Sequence, residues 1–98
     1  MTVVLWTPSA REDLREIYRY IAHDSPQYAD LVVSAISGAV TRLEGFPESG
    51  RIVPEEGRPE IREVIWRSYR IVYAYVRAKD QVHILTVFRS ERLFLGLR

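Results

Sequence analysis

The chain has 98 residues, 47% of them apolar and 28% charged, with no cysteine and a net charge of +1. That composition belongs to a globular chain with room for one modest core; it excludes a disordered segment, a disulfide framework, a thiolate nucleophile and a thiolate metal site. No run approaches the roughly 18 uninterrupted apolar residues of a membrane helix, and MTVVLWTPSARED has neither the basic lead nor the long apolar run of a secretory signal. The expectation is one cytoplasmic domain over residues 1–98 with no membrane partner.

In chain order, Thr2 to Trp6 reads as a short buried strand ended by Thr7-Pro8. Thr7 or Ser9 can cap the helix that follows, Pro8 suits its first turn, and Ser9 with Glu12 has capping-box spacing. Ala10, Leu14, Ile17, Tyr18, Ile21 and Ala22 give that helix one apolar face. Asp24-Ser25-Pro26 stops it and starts another, with Ser25 as cap. Ala29, Val32, Val33, Ile36, Val40 and Leu43 form the second stripe, so the pair predicts an antiparallel helical hairpin. Residues 45–59, rich in glycine and proline, predict an ordered loop pinned by Phe46, Ile52 and Val53.

Three alternating runs follow, Ile61 to Trp66, Tyr69 to Val76 and Val82 to Phe88, separated by breaks short enough for hairpins. In the middle run Tyr69, Ile71, Tyr73 and Tyr75 share one face, and Arg70, Val72, Ala74 and Val76 the other, which predicts a strand covered on both sides. Ser90 can cap a last turn bearing Leu93, Phe94 and Leu97. The fold class is α+β, ordered β-α-α-β-β-β: an antiparallel helical hairpin packed on a mostly antiparallel four-stranded sheet, with a short apolar C-terminal tail. Two helices blanket one face of such a sheet, and apolar residues left exposed on the other mark a partner site.

Charge divides unevenly. Residues 1–49 hold four basic and seven acidic side chains and residues 50–98 ten and six, with arginine supplying all the basic groups but Lys79. Arginine suits flat bidentate contacts with phosphate and carboxylate. Arg11, Arg15 and Arg19 recur every four residues along one side of the first helix, either as a solvated face or as an anchor for an acidic segment. Arg70 shares a strand face with apolar residues, so it needs a carboxylate, Glu63 or Glu91, or a binding role. His83 alternates with Val82 and Ile84, on one face with Leu85 and Val87. The spacing of His23, His83 and the carboxylates is not that of metal ligands, and neither a glycine-rich phosphate loop nor a Ser/His/Asp arrangement is present. No metal or cofactor is expected.

The stretches WTPSAREDLREIYRYIA, FPESGRIVPE leading into IREVIWRSYRIVYAYV, and VHILTVFRSERLF resemble the superfamily named after the RelE and ParE toxins, most closely its ParE branch. The resemblance implies the toxin of a bacterial type II toxin–antitoxin pair, wrapped and neutralised by the C-terminal segment of a cognate antitoxin. Members of the ParE branch poison DNA gyrase; members of the RelE branch cut messenger RNA on the ribosome. On the first reading Arg89 and Arg92 contact the target, while Arg11, Arg15, Arg19, Trp66, Tyr73 and Tyr75 receive the antitoxin. On the second, Arg70, His83 and Arg89 would supply the chemistry, although the lysine-rich cleft and the His-Tyr or Tyr-bearing tail of such nucleases are missing. A third reading is a relative that has lost toxicity and keeps only partner binding.

Overall fold

The computed structural model describes residues 1–91, 94, 96 and 97. Strand β1 (Val3–Trp6) leads into helices α1 (Pro8–Ala22) and α2 (Pro26–Thr41), which are followed by strands β2 (Arg51–Ile52), β3 (Ile61–Trp66), β4 (Tyr69–Val76) and β5 (Gln81–Arg89). The sheet order is β1-β5-β4-β3-β2, with β1 parallel to β5 and the other pairs antiparallel. It therefore has five strands where four were expected. The extra one is a two-residue pairing of Arg51–Ile52 with β3, too short to leave an alternating pattern in a glycine- and proline-rich loop.

Thr7, not Ser9, begins α1. Its hydroxyl accepts from the Ala10 amide at 3.2 Å and donates to the Ile84 carbonyl at 2.6 Å, so one side chain both caps the helix and ties it to β5. Ser25 caps α2 through the Tyr28 amide at 3.1 Å, with Pro26 in the first turn. Neither helix is long and apolar enough to cross a membrane. The first strand is an edge strand rather than a buried one: Val4 and Trp6 pack inward, while Val3 and Leu5 are 52% and 44% exposed.

Two cores lie on opposite faces of the sheet. On the helix side, Val32, Ile36 and Val40 of α2 with Leu43 meet Tyr69, Ile71, Tyr73, Val82, Ile84 and Val87. On the other side, Val53, Ile61, Val72 and Phe88 pack with Ala74, Leu85, Phe94 and Leu97. The face expected to be open is thus covered by the chain's own 53–60 connection and by its C-terminal tail. Of the three residues expected to pin that connection only Val53 does so; Phe46 is 69% and Ile52 44% exposed. Ser90 donates to the Ser68 carbonyl through both its amide and its hydroxyl instead of capping a turn. Leu93 lies outside the described residues.

A bulge at Leu85 changes which side chains share a face. Val72 pairs with Thr86, but Tyr73 pairs with Ile84, so β5 carries one residue more than β4. Val87 consequently turns to the helix side, away from His83 and Leu85, against the strict alternation of the sequence.

Tyr73 is fully buried, and its hydroxyl accepts from the Gly50 amide at 3.0 Å and donates to the Pro47 carbonyl at 2.8 Å. Gly50 is required there, because a Cβ would lie 2.6 Å from the Glu63 carbonyl and 2.7 Å from the tyrosine oxygen. Tyr73→Phe strands both backbone groups and is expected to cost about 1–2 kcal/mol, read as a lower urea midpoint at unchanged m-value.

Candidate functional site

A chain of alternating charges crosses the outer face of the sheet. The Glu63 side chain has no exposed surface and accepts from Arg51 Nε and from Arg70 Nε, each at 2.6 Å. Arg70 in turn grips Glu55 with both terminal nitrogens, at 3.0 and 2.8 Å, in the fork geometry that arginine offers a carboxylate. Its guanidinium carbon lies 5.2 and 5.3 Å from the ring centroids of Phe88 and Phe94. The hydrogen bond from Arg70 is the largest influence on Glu55 and holds its carboxyl down at about 2, against the opposing effect of burial. The same bond, with the smaller contribution of Glu63, pushes the Arg70 guanidinium upward. Of the partners expected for Arg70, Glu63 is present and Glu91 is not; Glu91 pairs with Arg89 at 2.5 Å.

This arrangement decides what chemistry the face offers. Attack by an RNA 2′-hydroxyl needs a base for its proton and an uncommitted cation for the phosphorane. Arg70 is bound by two carboxylates, and His83, half-buried on the same side, lies 3.1 Å from the Gln81 amide oxygen with, among the described residues, no carboxylate or cation bonded to it. The structure does not bring Arg70, His83 and Arg89 into one constellation. The described residues also hold no group of three or more side chains able to bind a metal ion.

The helical side differs. Arg11, Arg15 and Arg19 rim a groove of about 380 Å³ between the two helices, floored by Leu14, Tyr18 and Val33. Glu12 answers two of the three, Arg15 at 3.4 Å and Arg19 at 2.7 Å, and the Arg19 bond draws its carboxyl below the ordinary range. The rim therefore keeps a positive excess over an apolar floor. The aromatic residues expected to join these arginines do not. Tyr73 is buried, Tyr75 bonds Asp80 at 3.1 Å, and Trp66 stacks on Tyr69 with centroids 6.3 Å apart; all three lie on the helix-covered face of the sheet.

A second groove, about 300 Å³, runs beside the end of β5 and is lined by Glu16, Ile17, Tyr20, Tyr69, Val87 and Arg89 among others. Asp13 closes one side, accepting from the Thr86 hydroxyl at 2.7 Å and the Val87 amide at 3.1 Å, which satisfies the part of β5 that lies beyond β1. Arg89 is at this groove; Arg92 lies outside the described residues. Glu55 and Arg67 escaped the sequence reading. Glu55 sits in a polar loop that gives no periodic signal, and the only trace of Arg67 was its place in the two-residue break before Tyr69.

Glu63→Ala leaves Arg51 and Arg70 facing a vacated, desolvated site and is expected to cost about 3 kcal/mol or more. Glu55→Gln, at a partly exposed and therefore screened pair, is expected to cost about 1 kcal/mol near neutral pH. Because the Glu55 carboxyl is depressed, its contribution is complete above the ordinary carboxylate range and is lost as pH falls through about 2. Urea midpoints of wild type and Glu55→Gln should differ near neutrality and converge toward that pH.

The model of the ParE toxin of the type II toxin–antitoxin system parDE matches residues 4–94. A Sinorhizobium fredii protein, Y4kP, whose name marks it as a candidate toxin, is 36% identical over 90 residues, covering 91% of this chain and 88% of its own. The chromosomal ParDE system of P. aeruginosa contains a chain that superposes with a TM-score of 0.72 at 26% identity, covering 91% of this chain and 96% of that one. The isolated E. coli RelE toxin shares the fold, at a TM-score of 0.69 and 18% identity over 95% of this chain and 88% of its own. With the family model spanning both helices and all of the sheet but the first residue of β1, the chain belongs to the ParE toxin family of type II toxin–antitoxin systems.

Proposed function

We propose that the protein inhibits DNA gyrase by binding, without bond-making chemistry of its own, and that a cognate antitoxin neutralises it in the cytoplasm. The observation that carries this reading is the state of Arg70. Arg70, on the outer face of the sheet, is neutralised by Glu63 and Glu55, whereas the accessible features of the molecule are grooves and a rim of arginines. Such features suit recognition of a protein.

The antitoxin segment that fits the α1–α2 groove carries carboxylates for Arg11, Arg15 and Arg19 and apolar side chains for the Leu14–Val33 floor. An amphipathic helix has that form, with anchors one turn apart. The P. aeruginosa and E. coli neighbours include toxin–antitoxin assemblies, which supports a partner of this kind. Arg89 and Arg92 are assigned to target contact; Arg89 stands at the end of β5, away from the arginine rim.

Purified, antitoxin-free protein is expected to inhibit gyrase supercoiling while messages in a parallel translation reaction stay intact. Arg89→Ala with Arg92→Ala should weaken that inhibition about tenfold, as truncation of two contact charges does. Cut messages with unimpaired gyrase would make the protein a nuclease. Absence of growth arrest on expression would make it a binding relative only. The triple change of Arg11, Arg15 and Arg19 to Ser should lower antitoxin affinity by about one to two orders of magnitude, measured by calorimetry.

A further inference from the structure

The hairpin between β3 and β4 turns in two residues, Arg67 and Ser68, and Arg67 sits at φ 52. Tight hairpins of this kind need a positive φ, and glycine or asparagine supplies it without strain. An arginine there is held against its backbone preference. The only other non-glycine residue with positive φ among those described is Asp80, at φ 51, and its side chain braces the structure by accepting from the Thr2 hydroxyl at 2.7 Å and the Tyr75 hydroxyl at 3.1 Å. Arg67 braces nothing of this kind. Its side chain is exposed, and among the described residues no carboxylate pairs with it, although most of the chain's arginines are so paired.

Its guanidinium is nonetheless fixed. It lies 5.0 Å from the ring centroid of Trp66, whose ring stacks on Tyr69. Tyr69 also lines the groove at the end of β5, so the tip adjoins that groove through the Trp66–Tyr69 stack. An arginine laid over an aromatic ring keeps its edge donors free and loses less side-chain entropy when a carboxylate arrives.

We infer that the Trp66–Arg67 tip is a recognition element for the toxin's protein target, with Arg67 seating a carboxylate of that target beside the groove lined by Tyr69 and Arg89. The inference rests on the proposed action by binding. A protein suits the surface better than nucleic acid does, because Asp13, Glu16 and Glu91 line the adjoining groove and would meet a phosphate backbone with like charge. The antitoxin groove is elsewhere: at 100° per residue, Ile17 and Tyr20 lie on the far side of α1 from the mean direction of Arg11, Arg15 and Arg19.

The deciding variant is Arg67→Gly. Glycine adopts the turn freely, so the melting temperature should be no lower than that of wild type, while growth arrest and gyrase inhibition should fall about tenfold or more. Arg67→Lys, which keeps the charge but not the fork, should retain part of the potency. Affinity for the antitoxin should be unchanged. Arg67→Gly with wild-type potency overturns the inference, as does a loss of antitoxin affinity. Wild-type binding to a mixed-sequence single-stranded oligonucleotide that Arg67→Gly abolishes overturns it in favour of a nucleic-acid contact. If wild type arrests growth without inhibiting gyrase, the gyrase assignment fails alone, and loss of growth arrest in Arg67→Gly still supports the tip. A wild type that arrests nothing overturns both.

Discussion

Glu63 is a carboxylate with no exposed side-chain surface on β3, next to the short edge strand of a five-stranded sheet, and the outer half of the molecule depends on how its charge is answered. Burying a lone carboxylate costs several kcal/mol even after the protein relaxes. Here Arg51 and Arg70 flank it, and Arg70 hands its remaining donors to Glu55, so the four side chains form a neutral row in which all three Arg70 nitrogens are directed at carboxylate oxygens. Glu55 belongs to the connection between β2 and β3. The row therefore does more than neutralise a charge: it brings that connection down onto the sheet. Glu56, the next residue, accepts from the Leu97 amide and pairs with Arg58 at 2.6 Å, which fastens the tail to the same connection.

From this follows the character of the outer face. Val53 and Phe94 can reach Val72 and Phe88 because the segments carrying them are held there, and the second core exists only while they are. An arginine that organises a core in this way is a poor candidate for transition-state chemistry. To stabilise a developing phosphorane it would have to leave both carboxylates, and the segments would lose their hold at the moment the site was needed. On the proposed reading the face is structural, and recognition falls to the ends and the helical side of the molecule.

The sequence carried everything local. Alternation located β3, β4 and β5, the Thr7-Pro8 and Ser25-Pro26 pairs marked the helix starts, and the absence of a polar face on β4 announced that both its sides would be covered. What covers the outer side was not legible, because Val53, Phe94 and Leu97 lie in segments with no periodicity of their own. The two-residue β2 and the bulge at Leu85 share that origin: each is a pairing event between distant strands, and a single extra residue was enough to move Val87 to the other core. Glu63 was legible as the partner of Arg70 since the two stand on adjacent strands of one hairpin, whereas Glu55 lies across a loop.

Separation of the two surfaces on α1 constrains how neutralisation can work. A partner confined to the Arg11–Arg15–Arg19 groove would cover one side of a helix whose other side, with Ile17 and Tyr20, belongs to the groove at the end of β5. It would leave the hairpin tip open, and toxin, antitoxin and target would form a ternary complex unless the two sites were coupled. Coupling requires an element with two states, whereas the outer ion row and the Tyr73 bonds to Gly50 and Pro47 hold the sheet's connections in one satisfied arrangement. Neutralisation by this route is therefore steric. On the proposed reading the antitoxin segment continues past the groove, around one end of α1, and blocks the target's approach without seating on Arg67 itself, so its length matters as much as its affinity for the arginine rim.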